Sequence, residues 1–179
     1  FAALMYRIFF KPFLFLLSPE SAHRFAVSSL KVIMLFPGVK YLVKRFYCNI
    51  DKSIGKRLLG MDFPSPIGLA AGFDKDAELY EELACFGFGS IEVGTVTPKP
   101  QSGNEKPRLF RLPQDESLIN RMGFNNHGVE AMVDRLKGRD PSLIVGGNIG
   151  KNKLTPNENA VKDYVKSFNE LHPYVDYFV

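Results

Sequence analysis

Apolar positions change their spacing along this chain. Over residues 4–17, "LMYRIFFKPFLFLL", they are almost continuous, interrupted by Arg7, Lys11 and Pro12. Over "SPESAHRFAVSSLKVIMLFPG" they fall at helical intervals, with His23, Ala26, Val27, Leu30 and Met34 on one face. Ser18 is placed to cap this helix, Pro19 to open it and Glu20 to favour its first turn, and Pro37-Gly38 ends it. The pattern predicts two short helices with more apolar surface than a hairpin can hide within itself. The plain alternative is that both helices pack on the rest of the protein.

After Asp62 the pattern becomes short apolar runs separated by helical stripes. "PIGLAAG", "SIEVGTV" and "LIVGGNIG" are bounded by Pro, Gly or polar residues and read as strands covered on both faces. Ala77, Leu79, Tyr80, Leu83 and Ala84 predict a helix, as do residues 127–137 and 157–171, and "YVDYFV" begins another strand. "RLFRLP" and "SLINRMG" predict a hairpin inserted in a loop. The β-α-β-α order implies parallel strands with right-handed crossovers. The strands end in small or polar residues, at positions 72–75, 94–97 and 147–152. In a (β/α)8 barrel such ends converge on the face that carries the active site, although alternation alone also allows a doubly wound sheet.

Composition narrows the partners. With 45% hydrophobic and 23% charged residues, the chain suits a folded globular protein without low-complexity tracts. Cys48 and Cys85 form no CxxC pattern, which suits a reducing compartment, and His23, His127 and His172 have no metal-ligand spacing, so no metal is expected. The net charge of +4 conceals an asymmetry: residues 1–60 hold ten Lys or Arg against two acids, and residues 61–179 hold thirteen against seventeen. The basic third also carries eleven of the 23 aromatic residues. Basic residues interleaved with apolar bulk favour an anionic membrane surface over nucleic acid. The apolar run falls short of the roughly 20 residues of a spanning helix and lacks a signal-peptide cleavage site. Residues 1–4 precede Met5, the expected natural start.

The cluster "GFDKDAE" after the first strand has a plain reading: Gly72 for backbone freedom, Asp74 as a helix cap and Lys75 in solvent. "GGNIGKN" is not a phosphate loop, since Val145 and Asn152 stand where Gly and Ser or Thr are needed, and no strand is followed by G-x-G-x-x-G. The strand ends offer amides (Asn120, Asn125, Asn126, Asn148, Asn152), Thr hydroxyls, Lys75 and Gly-lined backbone. Such groups suit hydrogen bonding to a planar heterocycle, with a cofactor supplying the difficult chemistry.

"AAGFDKDAE", "GFGSIEVGTVTPKPQSGNEKPRLFRLP", "INRMGFNNHG" and "GGNIGKNK" closely resemble the membrane-associated, quinone-dependent class of dihydroorotate dehydrogenase, from about Met5 to Val179. The resemblance implies a (β/α)8 barrel holding FMN at its strand ends, behind a small helical domain facing membrane and quinone. It implies oxidation of dihydroorotate to orotate in pyrimidine biosynthesis. By motif, Ala71, Gly72, Phe73, Asp74, Lys75, Thr95 and Asn148 would bind FMN. Lys75, Asn120, Arg121, Met122, Gly123 and Phe124 would bind dihydroorotate, and His23 and Arg111 would face the quinone.

The implied domains are residues 1–46, helical, and 47–179, the first half of the barrel. The implied protein is a monomer bound peripherally to the cytoplasmic face of a bacterial inner membrane, with the mitochondrial inner membrane as the other location. Four of eight strands are present, and a barrel takes about 250 residues, so the expectation is the front part of a polypeptide of roughly 310–340 residues. The family's next residues, an Asn and then Ser-Ser-Pro-Asn, would bring the catalytic Ser base just beyond Val179, leaving no catalytic base within the chain. A soluble enzyme of the same family, or a membrane-binding module without catalysis, are the competing functions.

Overall fold

The computed structural model describes residues 2–179; Phe1, the first residue of the stretch ahead of Met5, lies outside them. Helix α1 (Ala2–Met5), a π-helical turn (Tyr6–Phe10) and α2 (Lys11–Leu16) follow one another up to a bend at Leu17. In α3 (Pro19–Met34) the Ser18 hydroxyl accepts the Ser21 N–H at 3.2 Å, the expected cap. Ala22 and Met34 are buried, and Val27 and Leu30 pack against the core of the rest of the chain. The contact follows these larger side chains and leaves Ala26, expected on the same face, exposed at its margin.

Pro37-Gly38 redirects the chain rather than ending the helical region. Gly38 has φ +83°, and a further helix, α4 (Val39–Tyr47), leaves at 108° to α3. The sequence pattern had predicted only two helices. Among the described residues no single helix is long and apolar enough to cross a membrane.

The helical region packs through part of its surface, and Phe9, Phe10, Leu16, Phe36 and Phe46 are exposed to solvent. Ion pairs fix the packed face: Lys31 to Glu78 at 2.6 Å, Lys40 to Glu82 at 2.7 Å and Glu20 to Arg108 at 3.0 Å. Hydrogen bonds, chiefly from Arg108 and Lys31 respectively, hold the Glu20 and Glu78 carboxyls below their ordinary range. Depressed carboxyl values contribute stability that is present above the unfolded value and is lost as pH falls through the folded one. Acidification below about pH 4.5 is therefore expected to release α3 first. Hydrogen exchange should report α3 amides losing protection before the central strands, and Glu20→Gln should flatten this acid dependence.

An unpredicted hairpin follows, β1 (Lys56–Leu58) and β2 (Met61–Phe63), turned by Leu59 and Gly60, both at positive φ. Leu58 and Leu59 point outward, so no half-buried alternation marked it.

The "PIGLAAG" run is corrected in one respect. It forms a single parallel bridge, Leu69 with Ile91, in place of a full strand, and Ile67 is 67% exposed. Among the described residues it is hydrogen-bonded along one side only, and while Leu69 packs on the core, Ile67, Gly68 and Ala70 are exposed. The helical stripe after it is buried at Ala77, Leu79, Tyr80 and Leu83, though the helix itself, α5 (Tyr80–Ala84), is short.

Strand β3 (Ile91–Val96), the predicted hairpin β4 (Leu109–Leu112) and β5 (Ser117–Asn120), α6 (Val129–Leu136), β6 (Val145–Ile149), α7 (Ala160–Leu171) and β7 (Tyr177–Phe178) complete the order. β3, β6 and β7 are parallel neighbours in sequence order, registered Ile91 to Val145 and Gly146 to Tyr177. Among the described residues the order runs without a reversal, as in a barrel. Val93, Val96, Val129, Met132, Val145 and Leu171 fill the space between sheet and helices.

Candidate functional site

The loop after the Leu69 segment is shaped by two residues of opposite kind. Gly72 has φ +102°, open to glycine and strained for other residues. Asp74 is buried, and its two carboxylate oxygens accept the Glu78 and Leu79 N–H groups at 2.7 Å each. Burial raises its pKa while these bonds oppose the rise. Asp74 is thus the cap of the plain reading, holding the turn into α5.

Lys75 does not follow that reading. It is half-buried, and its ammonium donates to Asn125 Oδ1 at 2.8 Å and lies 3.8 Å from Met122 Sδ. Burial, and then the Arg108 guanidinium, draw its pKa below the ordinary lysine value.

Above Lys75, α3 closes a cavity of about 320 Å³ lined by Glu20, His23, Phe73, Lys75, Met122 and Asn125, among others. The His23 ring meets Phe73 edge-on at 5.2 Å. Burial and then Lys75 hold its imidazole below the usual value.

Arg111, expected like His23 to face the quinone, lines a different cavity of about 680 Å³ with Tyr6, Lys11 and Phe15. It donates to the Leu14 and Leu17 carbonyls at 3.1 and 2.7 Å and stacks 4.3 Å from the Phe15 ring centre. Carbonyls left unpaired at the end of α2 have captured its guanidinium.

At the ends of β3 and β6 the Thr95 hydroxyl donates to Asn148 Oδ1 at 2.5 Å, which turns the Asn148 amide nitrogen away from Thr95. Ala71 N–H donates to Glu92 at 3.3 Å. After β5, Asn120 Oδ1 accepts the Met122 N–H at 3.0 Å, and Gly123 and Phe124 both have positive φ. Asn120, Arg121, Gly123 and Phe124 are exposed, and Met122 alone reaches the Lys75 cavity.

Two of the five amides are used for scaffolding. Buried Asn126 accepts the Gly128 N–H and donates to Phe124 O, and Asn152 binds both the N–H and the carbonyl of Lys99.

Sequence reasoning missed Arg108, buried at 6% exposure, and the grouping of Asp76, Glu78 and His127 within 4.8 Å. The sequence places Asp76 and His127 51 positions apart, so spacing gave no signal. Lys31 and Arg135 already pair with Glu78, and the Arg135 guanidinium lies 3.3 Å from His127 Nδ1.

The sequence model of the family described as dihydroorotate dehydrogenase matches residues 53–179. A dihydroorotate dehydrogenase (quinone) of Christiangramia forsetii is 54% identical over 175 residues, 98% of this chain and 51% of that protein. One from Coxiella burnetii is 49% identical over 174 residues, 97% of this chain and 48% of that protein. Among solved structures, the dihydroorotate dehydrogenase of Eimeria tenella in complex with ferulenol aligns with a TM-score of 0.70 at 37% identity, covering 89% of this chain and 42% of that one. The chain spans about half the length of the curated relatives it matches.

Proposed function

The chain belongs to the dihydroorotate dehydrogenase family, and from that premise we propose that it forms the flavin- and membrane-facing half of a quinone-dependent enzyme oxidising dihydroorotate to orotate in pyrimidine biosynthesis. The observation that carries this reading is Lys75: a half-buried ammonium at a strand end, held by Asn125 beside Met122 of the 120–124 segment.

The donor set fits FMN. A Cβ at Gly72 would meet nothing within 4 Å, so the backbone there is open to a flat ligand. Thr95, Asn148 and Lys75 add a hydroxyl, an amide and a cation at the strand ends. Lys75, Thr95, Asn148 and the Gly72 backbone would hold FMN, which would supply the redox centre between dihydroorotate and quinone.

The chain's own groups bind and orient. Lys75 stabilises negative charge developing between cofactor and substrate. Asn120 pairs with the pyrimidine edge and, with the 121–124 backbone, fixes the ring for transfer. Asp74 keeps the Lys75 turn in place. The proton on the neighbouring ring carbon goes to a base, which the family resemblance assigns to a Ser expected beyond Val179.

His23, on the Lys75 cavity, and Arg111, on the separate cavity beside α2, are the residues the resemblance assigns to the quinone. The proposed division is a helical unit up to residue 46, one residue short of the end of α4, followed by the first half of the barrel. The exposed Phe residues among Arg7, Lys11, Lys44 and Arg45 suit peripheral binding of a monomer to an anionic leaflet, at the cytoplasmic face of a bacterial inner membrane.

The intact protein, purified, is expected to be yellow with noncovalent FMN, to bleach anaerobically with dihydroorotate and to recover its colour with a quinone. Absence of flavin would refute the reading. Recovery with fumarate or NAD, and not with quinone, would favour a soluble enzyme of the same family.

A further inference from the structure

Arg108 joins three separate parts of the chain. Its Nε and Nη2 donate to the two Glu20 oxygens of α3 at 3.2 and 3.0 Å, and its Nη1 donates to the Ser102 and Asn104 carbonyls at 2.6 and 3.0 Å. Its backbone carbonyl accepts the Arg121 N–H at 2.8 Å. Asn104 continues the link, donating from its side chain to Arg121 O at 2.9 Å and from its backbone to Met122 O at 2.9 Å. Met122 in turn lines the cavity that holds Lys75.

This is more than helix docking requires. Glu20 also has Lys106 at 3.3 Å and Arg24 at 3.7 Å, so its charge has cationic partners without Arg108. The two loop carbonyls and the bidentate carboxylate together need a planar fork of donors, which a lysine does not provide. A buried cation with four such acceptors fixes the relative position of everything it touches.

We propose that Arg108 is a positioning residue for the 120–124 substrate segment, anchored on Glu20, so that docking of α3 and the geometry of the dihydroorotate site are coupled. The inference rests on the function proposed above and adds to it a link between the helical unit and substrate affinity. Displacing α3 loosens Arg108, and the loop formed by Ser102 and Asn104 then no longer holds Arg121 and Met122.

The test uses the intact enzyme and anaerobic rapid mixing, which separates dihydroorotate affinity from the limiting rate of flavin reduction. Arg108→Lys is expected to weaken affinity about tenfold, the loss of one or two charge-assisted bonds, with the limiting rate within about threefold. The paired reversal Glu20→Arg with Arg108→Glu is expected to recover thermal stability relative to either single reversal. It should leave affinity impaired, since a carboxylate cannot donate to the loop carbonyls.

Unchanged affinity in Arg108→Lys alongside lowered thermal stability would overturn the proposal, as would full recovery of affinity in the paired reversal. Where these variants do not fold, Asn104→Ala tests the outer link without touching the buried pair. A severalfold loss of affinity supports the coupling, and parental affinity rejects it. An unsubstituted enzyme that dihydroorotate does not reduce would fault the functional reading instead. The link would then be read from hydrogen exchange at residues 120–124, faster in Arg108→Lys if the proposal holds and unchanged if it does not.

Discussion

Lys75→Ala is expected to slow dihydroorotate-dependent flavin reduction by about 10²- to 10³-fold, the scale for removing one preorganised electrostatic donor. Lys75 is half-buried, so its ammonium is partly desolvated before negative charge develops beside it, and the same burial, then Arg108, draw its pKa below the ordinary lysine value. Asn125 and Met122 fix it in place before substrate arrives. The fold should survive, because the turn depends on Asp74 and its two backbone bonds rather than on Lys75. Circular dichroism and flavin content should match the parent, and stopped-flow reduction should not. Reduction at near-parental rate would remove Lys75 from the chemistry.

The second large effect concerns the surface. Phe9 and Phe10 are 61% and 59% exposed, in the π-helical turn, with Arg7 and Lys11 on either side in sequence. Inserting a Phe fully into apolar surroundings is worth roughly 1.5–3 kcal/mol, and each basic residue near an anionic leaflet adds about 1 kcal/mol. Replacing both with Glu removes the first contribution twice and adds repulsion. Phe9→Glu with Phe10→Glu should therefore weaken binding to anionic vesicles by about 100-fold or more, since each 1.4 kcal/mol is a factor of ten. Flavin reduction by dihydroorotate should be unchanged. Vesicle co-sedimentation equal to the parent's would reject this surface as the membrane contact.

What could be read from the sequence was what is buried on a regular period. β3 and β6 lie inside, with Val93, Val96 and Val145 fully covered, and their runs announced them. Ser18 capped its helix as its chemistry required, and the 109–120 hairpin paired in register. Two outward-facing elements, α4 and the 56–63 hairpin, were silent. In α4, Tyr41, Leu42, Phe46 and Tyr47 are exposed, so its apolar residues mark no core face. The edge position of Leu69 follows from its neighbours rather than its own residues.

At the site, Lys75, Thr95 and Asn148 were legible as chemistry at strand ends. Asp74 was assigned by resemblance to the cofactor, whereas its carboxylate is committed to the α5 turn. Arg108 left no local signal, since its partner Glu20 is 88 positions away in another element. Asn126 and Asn152 illustrate the converse: suitable chemistry already consumed by backbone.

The sheet order bears on how the chain acquires its structure as it leaves a ribosome. Because neighbours in space follow one another in sequence, each newly emerged strand finds its pairing edge already made, the Leu69 segment first and β3, β6 and β7 in turn. Synthesis proceeds at about 5–20 residues per second, slow enough for each docking to finish before the next strand appears. The helices emerge earliest and wait longest, for Glu78 and Glu82 to reach Lys31 and Lys40 and for Arg108 to reach Glu20. Through that interval the packing face of α3, with Ala22, Val27, Leu30 and Met34, is bare as well, and a bilayer or a chaperone is its natural company until the barrel side arrives.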